Sequence, residues 1–216
     1  MDSGGLHVET RGSGSPPIVF THGFARDGHA WDRQVEALAG DHFVVTWDMR
    51  GHGRSPAPAG DYTRELALAD LRRVAEVATA DGRGPAVLVG HSLGGYLSLA
   101  YTLTWPETVA GLVLLSTGPG FRNPDSMVAY NRSIDKVAAA GNIAPNAAEV
   151  AVHRDSMVID RLAEITCPVV QDDNGEARSR TRGTTSAAWP RRRNGYRARI
   201  FFIRSAAAAG SPPTPA

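Results

Sequence analysis

Residues 90–95 read Gly-His-Ser-Leu-Gly-Gly, directly after the apolar run Ala86-Val87-Leu88-Val89 and directly before a helical pattern. A G-x-S-x-G in that setting forces a tight strand-to-helix turn, because the glycines leave no Cβ where strand and helix approach. The serine between them takes strained backbone angles and turns its hydroxyl outward at the strand's C-terminal end. That end of an open α/β sheet is where ligands bind. A glycine-rich helix start that merely packs closely is the plainer alternative, and the strand on one side and the helix on the other argue against it.

The rest of the chain supplies the sheet. Pro17-Ile18-Val19-Phe20-Thr21, Phe43-Val44-Val45-Thr46-Trp47, Ala86–Val89 and Leu112-Val113-Leu114-Leu115 are continuous apolar runs, as expected of parallel strands covered on both faces. Leu6 to Thr10 adds an edge strand, turned by Gly12-Ser13-Gly14. Helical stripes lie between them: Trp31, Val35 and Leu38 closed by Gly40, and Leu66, Leu71, Val74 and Ala78 capped by Thr63. A third helix runs from Ser92 through Leu97 and Tyr101 until Pro106 forbids continuation. Residues 125–164 read as helices without strands, one from Met127 to Ala140 stopped by Gly141 and one opened by Asn146 with Glu149 three residues on, a capping-box pattern. Cys167-Pro168-Val169-Val170 then begins a further strand. The expected architecture is α/β, a mostly parallel doubly wound sheet with a helical insertion.

Two loops converge on Ser92. His22-Gly23-Phe24 follows the strand ending at Thr21 and can aim the N–H of Phe24 at the point that the N–H of Leu93 addresses from the helix's first turn, two donors for an oxyanion. His22 itself reads as a structural hydrogen-bonding residue. Asp48-Met49-Arg50-Gly51-His52-Gly53-Arg54-Ser55 reads as a structural loop with Asp48 and Arg50 paired.

With these three motifs in order, the chain resembles the α/β-hydrolase fold family from about Leu6 to about Val170. The resemblance implies that Ser92 is a nucleophile, that the amides of Phe24 and Leu93 form an oxyanion hole, and that residues 125–164 cover the active site. It also implies an acid at the end of the strand that Ile165-Thr166-Cys167-Pro168 leads into, Asp172 or Asp173, with Asp173 taken as the candidate. The division expected is a core over 1–120, a helical cap over 121–164, the start of a core strand over 165–174 and a tail over 175–216. A serine at position 92 argues against the branches that use a carboxylate nucleophile.

The family order of nucleophile, acid, then histidine is not completed. The histidines are His7, His22, His29, His42, His52, His91 and His153, and none follows Asp173. His153, on the expected cap, is the only one free to descend toward Ser92. Three residues between Pro168 and Asp172 also make a short strand. Residues 175–216 carry nine Arg against one Glu, a charge of +8, which leaves −7 for residues 1–174 of a chain whose total is +1. They contain no Leu, Val, Asp or His. Such a mixture cannot offset the cost of ordering and reads as a disordered tail without the family's last strands, as an out-of-frame reading from near Gln171 would give.

The expected function is therefore hydrolysis of a small ester or related acyl substrate through an acyl-enzyme, crippled where the histidine is lost. The alternatives are a carbon–carbon bond hydrolase and a non-catalytic binding protein on the same fold. A nucleic-acid arm built on the tail arginines ranks last, because nothing organises the charge. The lone Cys167 excludes an internal disulfide, no Cys/His cluster suggests a metal, and no cofactor is required. With no apolar run of about 18–20 residues and no signal-peptide pattern at Met1–Gly5, no membrane partner is expected and the cytoplasm is the default compartment.

Overall fold

The computed structural model describes residues 5–141, 143–144, 146–155, 157–172 and 177–180, the last four through their backbone alone. The strands are β1 (Val8–Arg11), β2 (Ile18–Thr21), β3 (Val44–Trp47), β4 (Ala86–His91), β5 (Val109–Leu115), β6 (Val169–Asp172) and β7 (Ala177–Arg180). They form one sheet in the order β1-β3-β2-β4-β5-β6-β7, parallel from β3 to β6 and antiparallel at both edges. Every residue of β2 and β3 is buried, which is why their sequences show no polar alternation.

Helices α1 (Asp32–Leu38), α2 (Arg64–Thr79) and α3 (Leu93–Thr104) cross between the strands. Ile18, Phe20, Val44 and Val89 meet Trp31, Val35 and Leu38 on one side of the sheet. The larger core joins Val19, Val45, Leu88 and Leu112 to Leu71 and Val74 of α2 and Leu97 and Leu99 of α3. Burying one such leucine stabilises the fold by about 1.5–3 kcal/mol.

Thr63 caps α2 as its sequence predicts, accepting from the N–H of Leu66 at 3.3 Å. Thr63→Ala is expected to cost about 1 kcal/mol, read as a lower urea midpoint with an unchanged slope. An unchanged midpoint would show that the hydroxyl contributes nothing to the helix.

Between β5 and β6 the chain is helical, with α4 (Pro124–Ala140), a 3-10 turn over Ala147–Ala151 and the short α5 (Met157–Asp160). The capping box expected at Asn146 does not form. Asn146 takes a left-handed backbone with φ 69°, its side chain accepts no cap hydrogen bond, and the five residues after it tighten into the 3-10 turn. Ile134, Val150 and Val158 bind this segment to the larger core, and the N–H of Ala144 donates to the carbonyl of Gly51 at 3.1 Å.

Strand β6 also differs from expectation. Four residues suffice, as they do in β2 and β3, because register sets the level that a strand end reaches: His91 pairs with Leu115 and Leu115 with Asp172. Within the stretch read as tail, Ala177–Arg180 pair with β6, since a backbone ladder makes no demand for aliphatic side chains. Residues 181–216, and with them the remainder of the tail reading, lie outside the described residues. Among the described residues no helix is long and apolar enough to cross a membrane.

Candidate active site

Ser92 joins β4 to α3 with φ 51° and ψ −115°, a region that costs a non-glycine residue about 1–3 kcal/mol and persists only where the surroundings enforce it. Here they do. Its N–H donates to the carbonyl of Leu115 at 2.9 Å, and its carbonyl accepts from the hydroxyl of Thr117 at 2.6 Å. A Cβ on Gly90 would lie 2.5 Å from the Cα of Gly95, one on Gly94 would overlap the carbonyl oxygens of Thr21 and His22, and one on Gly95 would run into the side chain of Thr117. The glycines of the motif are thus steric requirements of the turn.

The His22–Phe24 loop lies against it. A Cβ on Gly23 would stand 3.3 Å from the Cβ of Ser92 and 2.6 Å from Nδ1 of His91. Only a glycine lets the loop come so near the serine. Leu93 opens α3, so its N–H is a first-turn donor without an intrahelical acceptor.

His22 holds the loop from below. Its Nε2 accepts from the N–H of Met49 at 2.9 Å, so the proton resides on Nδ1, which donates to the carbonyl of Gly23 at 2.8 Å. Burial pushes its pKa down to about 4, against the pull of its hydrogen bond to Gly23, so the ring is neutral and fully occupied. His52, also buried and with its pKa lowered by burial, donates from Nδ1 to the carbonyl of Arg50 at 3.1 Å and packs edge-on against Phe24 with ring centres 5.7 Å apart. Burial, and then the charge of Arg26, lowers the pKa of His91.

The pairing expected of Asp48 with Arg50 is not found. Asp48 is buried and accepts from the N–H of Gly28 at 2.6 Å, the N–H of Arg54 at 2.8 Å and Nε of Arg54 at 3.2 Å. Arg50 instead reaches α2, where it grips the buried Asp70 through two hydrogen bonds of 2.5 and 2.7 Å. Backbone donors have already claimed Asp48, and the planar guanidinium of Arg50 finds a carboxylate with both oxygens presented.

Of the residues singled out in the sequence, Ser92, Leu93 and the loop bearing Phe24 come together. Asp172 is buried at the end of β6, level with Leu115 and His91, about 10 Å across two strand spacings from β4. Asp173 lies outside the described residues. His153 does not descend to Ser92 but packs among Tyr96, Phe121 and Tyr130. Two neighbours were not singled out. Thr117 anchors the turn, and Ser116 repeats the geometry of Ser92 one strand over, with φ 47° and its N–H on the carbonyl of Asp172 at 2.9 Å. Their only sequence signal is position just past an apolar strand. No three His, Cys, Asp or Glu side chains are placed to share a metal among the described residues.

The family model of the alpha/beta hydrolase fold matches residues 16–151. The chain belongs to that family. It is 35% identical over 116 residues to a pimeloyl-[acyl-carrier protein] methyl ester esterase of Nitrosomonas europaea, covering 54% of this chain and 42% of that one. It is 31% identical over 173 residues to lipase LipV of Mycobacterium tuberculosis, covering 79% of this chain and 61% of that one. The chain thus spans less than two thirds of the length of either relative. A thermophilic esterase from Thermogutta terrifontis superposes with a TM-score of 0.62 at 25% identity, over 77% of this chain and 73% of that one.

Proposed function

We propose that this member of the α/β-hydrolase family is a serine hydrolase of small esters or related acyl compounds. The observation that carries the reading is the left-handed Ser92 at the strand-to-helix turn, with Gly23 pressed against it. Its relatives include an esterase and a lipase, in keeping with that chemistry. Ser92 Oγ gives up its proton to a base from solution as it adds to the acyl carbon, and the amides of Phe24 and Leu93 receive the developing oxyanion. The tetrahedral intermediate then collapses, its leaving oxygen taking up a proton to depart as the alcohol, and water adds to the acyl-enzyme to release the acid and return the proton to Ser92. The acid of the triad comes from the end of β6, Asp172 or Asp173, and residues 121–164 act as the cap.

The base is the weak member. His22 has both ring nitrogens engaged, His52 is buried with Nδ1 engaged, and His153 is enclosed by aromatic rings. That arrangement favours, as a second reading, a binding protein that keeps the pocket without turnover.

Labelling with a fluorophosphonate in imidazole buffer, which supplies a base from solution, tests the nucleophile assignment on which the first reading rests. A single adduct on the peptide containing Ser92, absent from Ser92→Ala, is expected of the hydrolase. No adduct, or one that survives Ser92→Ala, removes the nucleophile assignment.

A further inference from the structure

His153 sits in the helical segment between the 3-10 turn and α5, with only 8% of its surface exposed. Its backbone is clamped from both sides. The N–H donates to Asn131 Oδ1 at 3.0 Å, and Asn131 Nδ2 donates to its carbonyl at 2.9 Å. Three rings enclose the imidazole nearly edge-on: Tyr96 of α3 at 4.4 Å, Tyr130 of α4 at 5.0 Å and Phe121 at 5.3 Å between ring centres. Nδ1 is buried and bonds to no described residue, facing the backbone of Gly120, where a Cβ would be 3.3 Å away. A phenylalanine would fill such a cage without a buried unpartnered nitrogen, so at Nδ1 the histidine costs the closed packing something that a plain ring would not.

The cage spans a seam. Tyr96 belongs to the helix that Ser92 opens, whereas Tyr130 and His153 belong to the helical segment. Among the described residues the charged groups around it are few. From α2, Arg64 donates to Tyr96 Oη at 3.2 Å and to Asp155 at 2.9 Å, and Asp155 also accepts from the N–H of Met157 at 3.1 Å. The phenols of Tyr96 and Tyr130 are the other titratable groups packed on the ring, and Phe121 and Gly120 bring no charge. The nearby carboxylate is therefore already committed to Arg64, whose own charge opposes a second cation.

We propose that His153 is a proton-operated latch, which holds the helical segment against α3 only while its imidazole is neutral and releases it locally when protonated. The inference concerns packing alone and stands whether or not Ser92 is catalytic. Burial pushes the pKa of His153 down to about 4, with Asp155 raising it and Arg64 lowering it further, against an ordinary value of 6.5. A group whose pKa is depressed in the closed state favours closure fully above pH 6.5, and that contribution is lost as pH falls toward 4. Between pH 7 and pH 5 the opening constant should rise about 20-fold.

Hydrogen exchange of the full chain, followed by mass spectrometry at pH 7 and pH 5 and corrected for intrinsic exchange, tests this. Expected is a loss of about 20-fold in protection for amides of residues 147–160 while β4 and β5 keep theirs, with no such loss in His153→Phe or in His153→Gln. The two variants cover each other, one matching the ring and one keeping a hydrogen-bonding group. Unchanged protection in the native chain, the same loss in both variants, or a parallel loss in the core strands overturns the latch.

Discussion

The 216-residue chain is expected to hydrolyse nitrophenyl acetate no more than about 10³–10⁴-fold faster than water does, the acceleration that an oxyanion hole and binding supply when triad members are missing. Serine gives up its proton poorly at neutral pH, and no histidine follows Asp173 to receive it. Ser92→Ala should lower the rate further, toward the solution background, and, once imidazole's own reaction with the ester is subtracted, imidazole added to the buffer should raise the rate of the native chain but not of the variant. The pH profile should climb with hydroxide above pH 7 in place of the plateau that a histidine base produces. His153→Phe should leave turnover unchanged, because the ring it replaces packs on Tyr96, Phe121 and Tyr130. A kcat in the ordinary range of about 1–10³ s⁻¹, lost in Ser92→Ala and kept in His153→Phe, would show that a base exists elsewhere; loss in both would make His153 that base.

What could be read in the sequence were features whose cause is local. The apolar runs of β2, β3, β4 and β5 need only their own residues and burial on both faces, and the Thr63 cap needs only the helix that it starts. The glycines around Ser92 were legible for a similar reason, since the motif places strand and helix within six residues. Features set by distant partners were not legible. Arg50 and Asp48 are two residues apart, yet the donors that engage Asp48 include one twenty residues upstream, and the partner of Arg50 lies twenty residues downstream on α2. The reach of β6 could not be judged from strand length, because Asp172 gains its level from the register of β5. At Asn146 a sound local pattern lost to the packing of the following residues, Ala147, Val150 and Ala151, against the core.

The second large effect is on stability. Asp48→Ala should destabilise the chain by about 1–3 kcal/mol, a substantial share of the 5–15 kcal/mol typical of a domain, because it strands the buried N–H of Gly28 and removes the shared acceptor of two donors on the more exposed Arg54. Gly28 and Arg54 would lose the acceptor of their N–H groups, and the guanidinium of Arg54 would keep only Glu9, at 2.6 Å on the surface. The space offers no remedy, since Gly53 and Gly28 press so close to the carboxylate that a Cβ on either would meet its oxygens. Asp48→Asn keeps the volume but puts an N–H₂ where one N–H now donates, so it should recover only part of the loss. Burial raises the pKa of Asp48, and the hydrogen bonds from Arg54 and Gly28 more than reverse this, leaving it below its ordinary value. Its contribution is therefore present above the unfolded carboxylate value and fades as pH falls through the lower folded one. Native chain and Asp48→Ala should differ most in urea midpoint near neutrality and converge in strong acid. A constant difference down to the lowest pH would mean that the carboxylate's charge is not what holds the loop, and that the loss in Asp48→Ala comes from the cavity alone.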